Sequence, residues 1–148
     1  MTLMWTWAQL EDLTALDIHA LFKARQAVFV LEQTCLYPDI DAHDLESWHL
    51  LGRENGALYA YLRVVPPGLK YPEPAIGRVL TVPIARGRGY GRALMAEGIR
   101  RVEAAYPNAG IRISAQCYLD RFYAEFGFVT VGEPYDEDGI PHQEMLRA

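Results

Sequence analysis

The stretch that most constrains this chain runs from Ala75 to Tyr106. It opens with Ala75-Ile76-Gly77-Arg78-Val79-Leu80-Thr81-Val82, apolar and rich in β-branched residues, which predicts a strand over 75–82. It closes with Gly91, Leu94, Met95, Gly98, Ile99, Val102, Ala105 and Tyr106, spaced to line one face of a helix over about 90–106. Between them stands Arg86-Gly87-Arg88-Gly89-Tyr90-Gly91, a loop placed at a helix N-terminus. The first N–H groups of a helix have no partner within it, and the macrodipole puts positive potential beside them. Glycine lets the backbone approach a ligand closely, and Arg86, Arg88 and Arg92 add charge on the same turn. Together these features predict a phosphate-binding device. The alternative is a glycine-rich turn with incidental arginines.

Two nucleotide motifs are disfavoured. A P-loop needs Lys and Ser or Thr directly after its glycines, and neither follows Gly91. A dinucleotide fingerprint spaces its glycines as Gly-x-Gly-x-x-Gly near the first strand. Here the spacing is Gly87-x-Gly89-x-Gly91, past the middle of the chain.

The remaining chain reads as alternating strands and helices without repeats or linkers, so a single domain over 1–148 is expected. Residues 3–8 alternate like a strand. Leu13, Leu16, Ala20, Leu21, Ala24 and Val28 mark a helix face that Thr14 or Asp12 would cap. Residues 34–47, acidic and broken by Pro38, predict a loop with room for a helical turn. Two strands, 48–53 and 57–65, flank the turn signal Glu54-Asn55-Gly56. After the central helix come a short strand at 111–115, a helix over about 118–126, and strands near 128–135 and 142–147 separated by Asp136-Glu137-Asp138-Gly139. The order β-α-β-β-β-α-β-α-β-β predicts an α/β (α+β) fold, a central sheet with helices packed on it.

Charge and cysteines narrow the partners. A net charge of −5 argues against general nucleic-acid binding. Cys35 and Cys117 form no disulfide framework, no signal-like leader opens the chain, and no apolar run is long enough to span a membrane. A soluble, cytoplasmic protein is expected, bound neither to nucleic acid nor to membrane.

Arg86, Gly89 and Gly91 fill the pattern Arg/Gln-x-x-Gly-x-Gly/Ala, which resembles the pyrophosphate loop of the GNAT superfamily of N-acetyltransferases. The order of elements is also that superfamily's. Downstream, Gln116, Leu119, Tyr123, Gly127 and Phe128 fall on its Asn-x-x-Ala-x-x-x-Tyr-x-x-x-Gly-Phe motif, with Gln and Leu replacing Asn and Ala. Val28-Phe29-Val30, Glu32-Gln33, Cys35, Tyr37, Asp39-Ile40-Asp41 and Asp44, with the late Asp138-Gly139-Ile140-Pro141-His142, are similar to the ElaA-like subgroup.

The resemblance implies a mostly antiparallel mixed sheet whose central strands splay apart around acetyl-CoA. It implies a cofactor loop of Arg86, Gly87, Arg88, Gly89, Tyr90, Gly91 and Arg92. The strand edge Leu80-Thr81-Val82 would lie along the pantetheine arm, with the Thr81 or Val82 N–H on the thioester oxygen. Tyr123 stands at the superfamily's general-acid position, and its phenol stays protonated at neutral pH; its aromatic neighbours equally fit a core tyrosine. Glu32 and His142 are the candidates for a general base, against the alternatives of a surface carboxylate and a structural histidine. The implied reaction moves acetyl from acetyl-CoA to the primary amine of a small molecule or peptide by direct attack. A non-catalytic acyl-CoA-binding sensor and an enzyme for a longer acyl donor are the rivals, and a homodimer is compatible with the chain.

Three further features stay open. Asp39, Asp41, Asp44 and Glu46, with the 136–138 turn, make either an acidic rim for a cationic amine or ordinary solvated loops. Cys35, Asp41, His43 and His49 match no recognised zinc spacing, so no metal is expected. Cys117 reads as a buried thiol rather than a nucleophile.

Overall fold

In a computed structural model the chain is described over residues 2–35 and 38–148; Tyr37, part of the subgroup pattern, lies outside them. The elements are β1 (Met4–Gln9), α1 (Ala15–Arg25), β2 (Trp48–Glu54), β3 (Ala57–Val65), β4 (Ala75–Thr81), α2 (Tyr90–Ala105), β5 (Ile111–Gln116), α3 (Asp120–Ala124), β6 (Val129–Glu137) and β7 (Ile140–Arg147). The order is the one the sequence predicts. The strands form one sheet, β1-β2-β3-β4-β5-β7-β6, antiparallel throughout except where β4 meets β5.

Local chemistry sets the boundaries. The Thr14 hydroxyl, not Asp12, caps α1 by accepting the Asp17 N–H at 3.1 Å. Beyond Arg25 the coil widens into a π-helical stretch, Gln26–Glu32, with the Gln33 N–H on the Val28 carbonyl at 3.0 Å. Such wide turns commonly mark functional sites. Asn55 and Gly56 both adopt positive φ, 53° and 81°, as a tight hairpin between β2 and β3 requires. The predicted helix over 118–126 is shorter: a tight turn at Cys117–Leu119 precedes α3. The last hairpin is also tighter, because β6 and β7 extend until only Asp138 and Gly139 separate them.

Strand alternation divides the core in two. Ala60, Leu62 and Val64 of β3 face α2 and α3, packing with Leu94, Met95, Ile99, Val102, Tyr123 and Phe128. Tyr61 faces the other way, toward Leu21, Ala24 and Val28 of the first helical segment, joined by Leu51 and Leu80. Each fully buried aliphatic side chain contributes roughly 1.5–3 kcal/mol. α2 lies close to the sheet because Gly98 faces Leu62; a Cβ there would sit 2.7 Å from Leu62 Cδ2.

Two irregularities shape what lies between the strands. β4 and β5 pair only at Ala75 and Arg112, where the Arg112 N–H meets the Pro74 carbonyl at 3.0 Å, and then part. β4 also carries a bulge: Tyr61 pairs with Leu80 but Arg63 with Gly77, leaving one extra residue on β4. Arg78 takes φ of 52° there, a strained left-handed conformation for a non-glycine residue. The bulge switches faces. Ile76 packs toward α2, whereas Leu80, four residues on, packs toward α1.

Candidate active site

The loop after β4 puts backbone donors at the mouth of the gap. Gly87 and Gly89 have φ of 80° and 79°, with open space where a Cβ would stand. Gly89 is the N-cap of α2 and supplies no side chain, so no side-chain cap satisfies the first N–H groups of Tyr90, Gly91 and Arg92. The Tyr90 side chain is core: it stacks on Tyr59 at 5.8 Å and donates its hydroxyl to Glu54 at 2.5 Å. Gly91 sits against Phe122, where a Cβ would lie 3.9 Å from the ring.

The three arginines divide. Arg86 is held in a fork by both oxygens of Glu32, at 2.6 and 2.7 Å, while its Nε–H reaches the Thr81 carbonyl at 3.2 Å. Arg92 pairs with Glu125. Arg88 lies over the Tyr59 ring at 6.0 Å and has no carboxylate partner among the described residues.

The strand edge sorts its donors by ladder parity. The Val82 N–H is already bonded to the Tyr59 carbonyl at 3.0 Å, which corrects its assignment as a thioester donor. The neighbouring Ala60–Thr81 pair is therefore the non-bonded kind, and the Thr81 N–H and carbonyl point away from β3 toward the gap. Leu80 faces β3 and buries its side chain in the core.

Where β4 and β5 part, a cavity of about 160 Å³ opens. Its walls include Gly77, Arg78 and Val79 of β4, Ser114 and Gln116 of β5, Phe29 and Gln33 from the π-helical end, and Tyr123 and His142. Tyr123 is 8% exposed. Its ring packs edge-on against Phe122 and Phe128, and its hydroxyl bonds no other described residue. Burial pushes its pKa up to about 12, so the phenol remains protonated across the neutral range. His142 directs Nδ1 to the Ile140 carbonyl at 2.8 Å and Nε2 to Glu137 at 3.3 Å, with Tyr135 stacked on it. It lies opposite Gln116, whose amide crosses the gap to Gln33 at 3.3 Å.

Comparisons with known proteins agree with this geometry. Residues 24–147 match the acetyltransferase (GNAT) domain family. The chain belongs to the GNAT family. A UPF0039 protein of Synechocystis is 48% identical over 147 residues, 99% of this chain and 96% of that one. The crystal structure of an acyl-CoA N-acyltransferase from Pseudomonas aeruginosa has a TM-score of 0.95 and 40% identity, covering 99% of this chain and 100% of the other. Escherichia coli ElaA has a TM-score of 0.93 and 36% identity over 99% of each chain, so this GNAT protein is ElaA-like. The family uses acetyl-CoA, and the glycine-rich loop, uncapped helix end and parted strands fit that cofactor.

Of the predicted GNAT residues, Tyr123 and His142 share the cleft, and Gly87, Gly89, Arg88 and the start of α2 share the loop. In this structure Glu32 is not free to act as a base. The Arg86 fork, above all its hydrogen bonds, holds the Glu32 carboxyl below the usual range, and both oxygens are occupied. The acidic rim is corrected for Asp39, Asp41 and Asp44, which are spent on a closed ring of ion pairs; Glu137 and Asp138 of the last turn line the cleft. Asp39 holds Arg25 (2.9 Å) and Arg78 (2.8 Å). Asp41 holds Arg78 (3.3 Å) and Arg63 (2.7 Å), and Asp44 holds Arg63 (3.0 Å) and Arg25 (2.6 Å). The ring fixes Arg78 at the bulge of β4. Sequence reasoning missed it, although Arg63 at an inward position of a buried strand, with Asp39-x-Asp41-x-x-Asp44 elsewhere, is the signal that could have found it. No cluster able to hold a metal occurs among the described residues. Cys117 is half-buried rather than buried, and Cys35 is the cysteine that lines the cleft.

Proposed function

We propose that this chain, as a single domain, moves the acetyl group of acetyl-CoA to a primary amine by direct attack in a ternary complex. The parting of β4 and β5 beside an uncapped α2 carries the reading, because it opens the β4 edge and Tyr123 to one cleft, with the start of α2 at Gly91 against Phe122, the neighbour of Tyr123. When bound, acetyl-CoA supplies an activated acetyl thioester. The N–H groups of residues 87–92 hold its pyrophosphate with Arg88, and Arg86 contributes once it yields Glu32. The free edge of β4 takes the pantetheine arm like an added strand, and the Thr81 N–H donates to the thioester oxygen. His142 Nε2 accepts the proton of the attacking amine, and Glu137 beside it stabilises the charge so formed. The Tyr123 hydroxyl donates its proton to the departing sulfur.

The test is calorimetric titration with acetyl-CoA, then CoA release across a panel of amines. Binding with release supports the reading; binding without release from any amine identifies a sensor instead. Tyr123→Phe should lower kcat by about 10²–10⁴ while the acetyl-CoA Kd stays within about twofold. Unchanged turnover would remove Tyr123 from the mechanism.

A further inference from the structure

The cleft is lined by charges of both signs on different elements. Lys70 and Tyr71 reach it from the loop between β3 and β4, and Glu137 and Asp138 from the tip of the β6–β7 hairpin. Arg63 and Arg78 also line it, but their charge is cancelled within the ring, where three guanidiniums alternate with three carboxylates. Lys70 forms no ion pair with a described residue; its ammonium stands over the Tyr71 ring at 5.5 Å. Partial desolvation, then the guanidiniums of Arg63 and Arg78, draw Lys70 below the usual lysine range, with Glu137 and Asp41 pulling the other way. Arg63 is 2% exposed, and its Nε–H is the buried side-chain donor left without an acceptor among the described residues. A buried donor without an acceptor is unfavourable, and an oxygen that reached it would recover that loss.

We propose that the acceptor is a small amine that also carries a carboxylate, its anionic end held by Lys70 and Arg63 and its amine directed to Glu137, Asp138 and His142. The proposal deepens the acetyltransferase reading and rests on it. Lys70 is the cation of this cleft that no ion pair claims among the described residues, and it suits a single carboxylate. Glu137 and Asp138 attract the amine as an ammonium; it loses one proton to water before attack, so that His142 is free to take the second as the C–N bond forms.

The experiment measures CoA release at saturating acetyl-CoA with L-amino acids, their primary amides and the corresponding decarboxylated amines. The acids should exceed the other two series by about tenfold or more in kcat/KM. Lys70→Met should abolish that preference by raising KM for the acids, with the acetyl-CoA Kd unmoved, while Lys70→Arg preserves it. Amides or decarboxylated amines used as well as the acids, or a preference that survives Lys70→Met, would overturn the proposal. If no amine releases CoA, the acetyltransferase reading fails by itself. Calorimetric binding of the same three series to CoA-loaded protein then decides this one: selective binding of acids upholds it, and equal or absent binding overturns it.

Discussion

Arg88 carries a charge that no carboxylate among the described residues claims, unlike Arg86 and Arg92 at the same loop. That difference ranks the three arginines toward an anion. Arg88→Ala should weaken acetyl-CoA binding by about ten- to a hundredfold, since a charge-assisted hydrogen bond is worth roughly 1.5–3 kcal/mol. Arg92→Ala should shift the Kd by no more than about twofold, its exposed pair with Glu125 counting for little. Titration calorimetry at two salt concentrations would separate them, and equal effects would refute the ranking. Glu32 competes with the cofactor for Arg86, so Glu32→Gln should tighten acetyl-CoA binding several-fold while hardly moving Tm. Weaker binding in that variant would mean the fork positions Arg86 for the phosphates rather than withholding it. The loop itself was legible because glycines, arginines and a helix start are contiguous signals. The Arg86–Glu32 fork was not, since it joins residues far apart in the chain.

Among the elements, β4 depends most on distant partners. Its bulge holds Arg78 in a left-handed conformation that the ring of arginines and aspartates stabilises from outside the strand. Gly77 beside the bend is the local hint, since an isolated glycine in a strand often marks a bulge, but the run over 75–82 otherwise reads as an unbroken strand and it is Arg78 that turns left-handed. The order of elements was readable from periodicity, but which face each half of β4 presents was not. Asp44 ties the ring together, taking Arg25, Arg63 and the Asp41 N–H. Asp44→Ala should destabilise the protein by about 3–5 kcal/mol, because it leaves buried guanidiniums uncompensated.

His49 of β2 adds a separate pH window. The Nε2–H of His49 reaches the Asp44 carbonyl at 3.0 Å, and Nδ1 lies 2.6 Å from the Tyr61 hydroxyl, which donates to it when the ring is neutral. Burial holds its pKa below the ordinary histidine value. The unfolded chain then takes up a proton first. Stability should fall as pH drops below about 6.5, until the lowered folded pKa is passed. Asp44 behaves oppositely in range: burial raises its carboxyl, but Arg25, the Asp41 N–H and Arg63 outweigh that and lower it. Its contribution holds above the usual aspartate range and fades only in stronger acid. Melts of His49→Gln should lose the slope just below about pH 6.5 while keeping the acid transition. A slope unchanged in the variant would assign it to another group.

At the scale of the molecule, the sheet is two pieces, β1–β4 and β5-β7-β6, whose strands meet at one pairing. α2 packs across the sheet, and the Gln116–Gln33 hydrogen bond spans the gap, but the open edges of β4 and β5 leave backbone groups unpaired between them. A ligand that lies along β4 as a strand would supply those partners and bind only the folded protein. Ligand at about one hundred times its Kd stabilises by about 2.7 kcal/mol, which for a chain of this length raises Tm by roughly 5–10 °C. The stabilisation should also be localised. Amide exchange should slow most at Thr81, whose N–H faces the gap, and at Tyr90, Gly91 and Arg92, whose N–H groups α2 leaves uncapped. The Val82 amide, already bonded to Tyr59, should change far less. ATP, which offers phosphates but no pantetheine arm, should protect the α2 amides at most and leave Thr81 exchanging as before. Equal slowing of Thr81 and Val82, or protection of Thr81 by ATP, would mean that the ligand does not run along β4 and that the parted strands serve another purpose.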